Sequence, residues 1–145
     1  MSFTNAAETD CLELFFTNAA WANVGDVGGL QPSSSAGSLY VSLHTATPDE
    51  TGDQTTNECD YTSYARVAVA RGAAWTVAGN NASNTSVINF PQCTGGSNTA
   101  THFGIGSAVS GAGNLFIYGA LSSSLAISNG ITPSIPAGDL DINLD

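Results

Sequence analysis

Apolar and polar positions follow two different patterns along the chain. In residues 1–24 the apolar side chains recur at helical spacing, as Ala7, Cys11, Leu14 and Phe15 do. Asn5 is the predicted N-cap, with Glu8 three residues later, and Asn23 and Gly25 are the predicted stop signals. The first pattern therefore predicts one N-terminal helix.

From residue 38 onward, apolar and polar positions alternate in short runs. In residues 38–44 the apolar members of one face are Leu39, Val41 and Leu43. Similar runs cover residues 64–70, 73–77, 85–90, 101–105, 114–120, 125–128 and 139–144, with turn sequences rich in Gly, Asn and Ser between them. This second pattern predicts an all-β fold, an antiparallel β-sandwich or jelly-roll-like barrel of about eight short strands preceded by the helix.

The segment between the two patterns is rich in Gly, Ser and Pro and is predicted to be a connector. A chain of 145 residues is one domain on ordinary length expectations. We therefore divide it into a helical segment over 1–24, a connector over 25–37 and a β-sandwich domain over 38–145.

Charge excludes several classes of function. The chain has 12 Asp and Glu, two Arg and no Lys, for a formal net charge of −10. Without clustered Lys and Arg, the chain cannot bind nucleic acid by neutralising phosphates or attach to an anionic membrane surface. Without Lys it also cannot form a Walker-type phosphate loop or a pyridoxal Schiff base. The expected partner is another protein, a neutral glycan or a cation.

No apolar run reaches the roughly 20 residues that span a bilayer, and we expect no secretory signal in the first residues. The cysteines, Cys11, Cys59 and Cys93, lie too far apart for a C-x-x-C metal site. Reduced thiols acting as small apolar side chains are the favoured interpretation, with a Cys59–Cys93 disulfide left open.

Candidate catalytic and metal-binding residues give weak signals. His44 and His102 lie at strand ends among many serines, but no G-x-S-x-G motif is present, and surface histidines are expected. The acidic segment over residues 48–60 has oxygen ligands that suit calcium but not the EF-hand spacing, so a solvated loop is favoured. We predict no catalytic residue, no cofactor and no metal, and a protein that is not an enzyme.

Three large apolar residues, Phe3, Phe16 and Trp21, are more than one helical stripe can bury. We therefore predict that they form contacts with a partner or a neighbouring subunit. The alternative is a helix that simply covers the sandwich.

Several runs taken together resemble a family of small virion proteins of tailed bacteriophages, often labelled tail fibre proteins. They are NAAETDCLELFF (5–16), LYVSLHTATPDETG (39–52), YARVAVARGAAW (64–75), INFPQCT (88–94), THFGIG (101–106), GNLFIYGAL (113–121) and IPAGDLDINLD (135–145). Small size and all-β character make these proteins similar to capsid decoration (cement) proteins. None of the runs is a catalytic motif.

The resemblance implies a decoration protein on the outer surface of the phage head, where it binds the major capsid protein and stabilises the assembled lattice. It also implies a homo-oligomer, with a trimer favoured over a dimer. The first alternative is a tail component, either a fibre tip or a receptor-binding domain. A carbohydrate-binding module and a polysaccharide hydrolase are the remaining alternatives.

Overall fold

The computed structural model describes residues 2–144. Met1, the first residue of the predicted helical segment, and Asp145, the last residue of the predicted β-sandwich domain, lie outside the described residues. The fold is mostly β, with antiparallel sheets, one short N-terminal helix and a sandwich-like arrangement, as the alternation predicted. The barrel form of that prediction is wrong for residues 2–144, since their sheets do not close.

The chain divides into two compact units, each built from separate stretches of sequence. Unit 1 contains Met1–Gly37, Ala70–Ile88 and Ile135–Asp145, and unit 2 contains Ser38–Val69 and Asn89–Ser134. Residues 25–37 are part of unit 1 together with the helix.

The helix of unit 1, α1, spans Asn5–Leu12 and continues as a π-helical turn over Glu13–Thr17. Its N-cap is Thr4, whose hydroxyl accepts a hydrogen bond from the backbone N–H of Ala7, and not the predicted Asn5. The helical segment ends at Asn18, earlier than predicted, because Asn18 adopts a left-handed conformation with φ of 61°.

The strands of the fold, in chain order, are β1 (Ser38–His44), β2 (Val67–Ala70), β3 (Trp75–Ala78), β4 (Asn81–Asn84), β5 (Ile88–Asn89), β6 (Ser97–Gly106), β7 (Leu115–Ser128), β8 (Ser134–Ile135) and β9 (Asp141–Asn143). The described residues form a four-stranded sheet β2-β1-β6-β7, a three-stranded sheet β3-β4-β9 and a two-stranded sheet β5-β8. Strands β4 and β8 lie outside the predicted runs, and the two runs predicted over 114–120 and 125–128 belong to the one strand β7.

Unit 1 is centred on Phe16, which is fully buried. Its ring packs against that of Trp75, with 4.6 Å between the centroids. Arg71 holds the end of the helical segment in place, because its guanidinium donates hydrogen bonds to the carbonyls of Phe15 (2.6 Å) and Leu14. These contacts satisfy carbonyls that have no partner within the helix and place a cation at its C-terminal end.

Unit 2 is centred on β1, which is a central strand of its sheet. Val41 pairs with Ile105 and Leu43 with Phe103 in antiparallel register with β6. The polar face of this strand is also buried, since His44 is fully inaccessible to solvent. The expectation of a surface histidine at this position is therefore wrong.

Candidate functional site: an exposed apolar loop and a clamped hairpin

The first candidate site lies in unit 1 and is a loop over residues 21–30, here called the apolar loop. Two backbone hydrogen bonds close it, from Trp21 N to Leu30 O (2.9 Å) and from Leu30 N to Trp21 O (2.8 Å). Within it, Asp26 Oδ1 accepts hydrogen bonds from the backbone N–H groups of Gly28 and Gly29. The loop is therefore an ordered turn with its own hydrogen bonds.

The apolar loop exposes hydrophobic side chains at several positions. Val27 is 87% exposed, and Val24 and Leu30 are 40% and 44% exposed. Phe3, which is 52% exposed, contacts Trp21 edge to face at 6.2 Å between ring centroids. This concentration of exposed apolar side chains makes the apolar loop a candidate contact surface.

The three residues predicted to form an interface have different positions in unit 1. Phe3 and Trp21 lie at the apolar loop, whereas Phe16 has no exposed surface and is a core residue. Phe16 is therefore not part of the candidate surface. The surface also includes Val24, Val27 and Leu30, which were not predicted. Val27 and Leu30 lie in the Gly-rich segment that was predicted to be a connector, and Val24 is the last residue of the predicted helical segment.

The second candidate site lies in unit 2 and is the hairpin between β6 and β7, residues 107–113. Arg66 donates hydrogen bonds to two of its carbonyls, Ala108 O at 2.9 Å and Gly111 O at 2.8 Å. Gln54 makes two further bonds, with Oε1 accepting from Ala108 N and its backbone N–H donating to Ala112 O.

Glycines allow this close packing of the hairpin. A Cβ on Gly113 would lie 2.3 Å from Gln54 Oε1, and one on Gly106 would lie 2.2 Å from Gln54 Cδ. The hairpin is thus clamped at its base while Val109, at its tip, is 62% exposed. A loop fixed before binding loses less conformational entropy when it meets a partner.

The clamp depends on an ion pair between Arg66 and Glu58. Arg66 Nε and Nη2 donate to the two oxygens of the Glu58 carboxylate, and Tyr64 donates its hydroxyl proton to Oε1 at 2.9 Å. The hydrogen bonding that Arg66 donates to Glu58 raises the pKa of Arg66, so the guanidinium stays charged. Burial, with the Glu58 charge as a smaller cause, raises the pKa of Tyr64 well above its usual range.

A serine and a histidine do come together in unit 2, but inside the core. His44 Nδ1 lies 2.8 Å from the carbonyl of Thr56, and His44 Nε2 lies 2.8 Å from Ser42 Oγ. Because a carbonyl only accepts, Nδ1 carries the proton and Nε2 of the neutral ring accepts from the serine. Both side chains are fully buried, and Gly104 packs directly on them, since its Cβ would lie 2.6 Å from each.

The acidic segment is held by hydrogen bonds within its own turns. Asp53 Oδ1 accepts from the backbone and the hydroxyl of Thr55, and these bonds lower the pKa of Asp53. Asp49 accepts from Thr47 in a similar local turn. Among residues 2–144, no group of three His, Cys, Asp or Glu side chains is placed to hold a metal ion.

The three cysteines are free thiols in the structure. Cys59 and Cys93 are both buried, and Cys93 Sγ donates to the carbonyl of Gly95 at 3.2 Å. Burial, with smaller effects of Asp60 and Glu58, raises the pKa of Cys59 to about 12. These two thiols therefore act as small core side chains, and the disulfide that the sequence left open is not formed.

No helix within residues 2–144 is both long enough and apolar enough to cross a bilayer.

Comparison with known proteins gives a family assignment. The model of a family described as "Podophage GP4 fiber I protein gp80" matches the chain over residues 2–143. No curated protein matches the chain.

Proposed function

Because the chain belongs to the family of the podophage GP4 fiber I protein gp80, we propose that it is a component of a phage tail fibre, acting as a tip or receptor-binding domain. Family membership makes it a phage structural protein associated with the virion. The fibre family supports the tail alternative of the sequence analysis better than the capsid decoration that was preferred there. The family match is the observation that carries this proposal.

In this proposal the apolar loop attaches the protein to another virion protein. Val27 and its neighbours expose hydrophobic surface on a loop that is already ordered by its own hydrogen bonds. Burying exposed apolar surface contributes about 25 cal/mol per Å² to the free energy of binding. Because the loop is ordered before it binds, little of that contribution is lost to conformational entropy.

The clamped hairpin of unit 2 is the proposed contact with the host surface. Its backbone is fixed by Arg66 and Gln54, while Val109 and the neighbouring serines remain exposed. Recognition residues commonly lie on loops that a rigid scaffold positions. The proposed role includes self-association but no catalytic step, cofactor, nucleic acid or membrane; the burial of Ser42 and His44 supports a structural role for that pair.

The first test is the number and position of copies in the virion. Quantitative mass spectrometry against the major capsid protein measures the number, and immunogold electron microscopy locates the copies. We expect a handful of copies per particle, located at the tail. A copy number comparable to that of the major capsid protein, with labelling over the head, would contradict the fibre role and support decoration instead.

A pair of matched variants tests the two surfaces. Val27→Glu places a charge on the apolar loop, and Val109→Glu places the same charge on the clamped hairpin. Both valines are exposed, so both variants should fold. We expect Val27→Glu to lower the number of copies in purified virions, and Val109→Glu to leave that number unchanged while lowering adsorption to host cells. The opposite assignment of effects would overturn the proposed roles.

A further inference from the structure

One face of the four-stranded sheet of unit 2, here called the polar face, is covered over β1 and exposed over β7. Two cross-strand rows on this face run from β1 through β6 to β7: Ser42, Gly104 and Tyr118, and His44, His102 and Ala120. The acidic segment covers the β1 end of these rows through Thr56, and Ser42 and His44 are fully buried there. At the β7 end, Tyr118 and Ala120 are exposed to solvent.

Two aromatic side chains occupy the exposed part of the polar face. Phe116 is 46% exposed and Tyr118 is 37% exposed. They are two residues apart on β7, so the alternation of the strand directs both rings to the same face, and exposure alternates along residues 115–120 in the same way. Two residues of a strand span about 7 Å, which places the rings side by side. We call Phe116 and Tyr118 the aromatic platform.

The aromatic platform is continuous along the chain with the clamped hairpin. Phe116 follows the hairpin by three residues. Two hydrogen bonds join the ends of the hairpin, from Ser107 N to Asn114 O (3.0 Å) and from Asn114 N to Ser107 Oγ (2.9 Å). Beyond them, Tyr118 is paired with Gly104 in the ladder between β6 and β7. The platform is therefore held by a strand next to a fixed loop, in the region already proposed to contact the host.

The distribution of charge restricts what the platform can bind. Residues 72–138 contain no Asp, Glu, Lys or Arg, and the five acidic residues of unit 2 all lie within residues 49–60. Arg66, the one Lys or Arg in the sequence of unit 2, has a side chain that is only 2% exposed. An anionic ligand is repelled by a chain of net charge −10, and a cationic ligand is attracted to the acidic segment instead. The platform therefore complements an uncharged ligand.

The side chains around the platform indicate a ligand that carries hydroxyl groups. The phenolic hydroxyl of Tyr118 both donates and accepts hydrogen bonds, as do the exposed serines Ser107 and Ser110 on the hairpin and Ser122 further along β7. A purely apolar partner would bury such hydroxyls without hydrogen bonds, which is costly. A neutral sugar has an apolar C–H face that suits the negative face of an aromatic ring, and a rim of hydroxyls that suits tyrosine and serine.

We infer that the aromatic platform binds a neutral polysaccharide of the host envelope, with the Tyr118 ring stacked on a sugar ring and its hydroxyl bonded to a sugar hydroxyl. This inference rests on the proposed receptor-binding role and names the chemical class of the receptor. A site with two rings is weak by itself, but several copies in one virion bind a repeating polysaccharide with much higher avidity.

The first experiment measures the binding of purified protein to host polysaccharide by calorimetry. Lipid-free envelope polysaccharides are separated by anion exchange into a neutral and an acidic fraction, and each fraction is titrated into the protein. We expect binding to the neutral fraction and none to the acidic fraction. Binding to the acidic fraction alone, or to neither fraction, would overturn the inference.

Three variants locate the site. Tyr118→Ala removes the ring, Tyr118→Phe keeps the ring without the hydroxyl, and Phe3→Ala removes an exposed aromatic ring of unit 1 as the matched control. We expect Tyr118→Ala to weaken binding of the neutral fraction at least about tenfold, Tyr118→Phe to retain most of the affinity, and Phe3→Ala to bind as the wild type does. Equal affinities of Tyr118→Ala and Phe3→Ala, or an equal loss in both Tyr118 variants, would contradict stacking on Tyr118.

Nuclear magnetic resonance gives a readout that requires no variant. The ring protons of Phe116 and Tyr118 should shift when the neutral fraction is added to the wild-type protein, whereas those of Trp21 in unit 1 should not. Unchanged resonances of Phe116 and Tyr118 in a protein that binds the fraction would place the site elsewhere and overturn the inference.

The position of the copies in the virion separates failure of this inference from failure of the proposed function. Copies located at the tail, together with no binding to either polysaccharide fraction, would overturn the inference and leave the fibre role standing. Under that result, lower adsorption of virions that carry Tyr118→Ala would indicate a protein receptor in place of the polysaccharide.

Discussion

Arg66 and Glu58 form a bidentate ion pair, with 2.7 Å between Nε and Oε1 and 2.8 Å between Nη2 and Oε2. The Arg66 side chain is 2% exposed and that of Glu58 is 15% exposed. The guanidinium hydrogens that remain reach the hairpin carbonyls, so one buried cation connects the acidic segment to the clamped hairpin. The geometry of the proposed receptor loop therefore depends on a carboxylate far from it in sequence.

The first prediction concerns this ion pair. Glu58→Gln leaves the Arg66 charge buried without its counter-ion, which we expect to lower the free energy of unfolding by about 3–5 kcal/mol. Urea unfolding measures this change. Glu50→Gln, an exposed position in the same acidic segment, is the matched control and should change stability by less than about 0.5 kcal/mol. Equal effects of the two substitutions would show that the ion pair does not hold unit 2 together.

The second prediction concerns pH. Burial lowers the pKa of His44 below its ordinary value of 6.5, with Arg66 and His102 lowering it further and Thr56 and Glu58 acting in the opposite direction. The imidazole of the unfolded chain therefore binds a proton more readily than that of the folded chain. The contribution of the neutral ring to the free energy of unfolding is fully present above pH 6.5, and it declines as the pH falls from 6.5 toward the pKa of His44 in the folded protein.

Urea unfolding on either side of pH 6.5 measures this loss. His44→Gln removes the titrating group and should flatten the dependence in this window. His102→Gln is the control and should retain it. A wild-type protein whose stability is constant across the window would contradict a buried neutral imidazole.

The third prediction concerns the apolar loop. A Cβ on Gly29 would lie 2.0 Å from Trp21 O, and Gly29 has φ of +60°, so Gly29→Ala should displace the backbone that closes the loop. Gly25→Ala is the matched control, because Gly25 has φ of +82° but nothing within 4 Å of its Cβ. We expect the control to cost about 1 kcal/mol from the unfavourable backbone conformation alone, and Gly29→Ala to cost clearly more.

Urea unfolding measures both glycine variants, and the fluorescence of Trp21 reports on the loop itself. Trp75 is buried in unit 1 and supplies a constant background. Indistinguishable stability and emission in the two variants would show that the close approach at Gly29 does not hold the loop closed.

The fourth prediction concerns the thiols. Cys59 and Cys93 are buried and Cys11 is partly exposed, so a thiol reagent should modify Cys11 first and the other two only when the protein unfolds. Reaction at Cys11 should itself be slow near neutral pH, because burial raises its pKa. In denaturant without reductant we expect three reactive thiols per chain. A single reactive thiol would reveal a disulfide.

Several features of the site were accessible from sequence, and others were not. Phe3, Phe16 and Trp21 stood out as an excess of large apolar residues, but spacing alone cannot distinguish a residue that packs on Trp75 from one at the surface. The buried state of His44 was equally hidden, because its ring lies against Thr56 of a loop and Gly104 of another strand, which no local pattern brings together.

Alternation of apolar and polar side chains and the turn residues between the runs determined the all-β class, since a strand turns successive side chains to opposite faces wherever it lies. Composition determined the acidic character and excluded binding through Lys and Arg. The tertiary structure decided how the runs combine: which strand is central, which edge stays open, and which stretches share a unit. These depend on long-range pairing and on the cost of burying each polar group, and no local pattern encodes either of them.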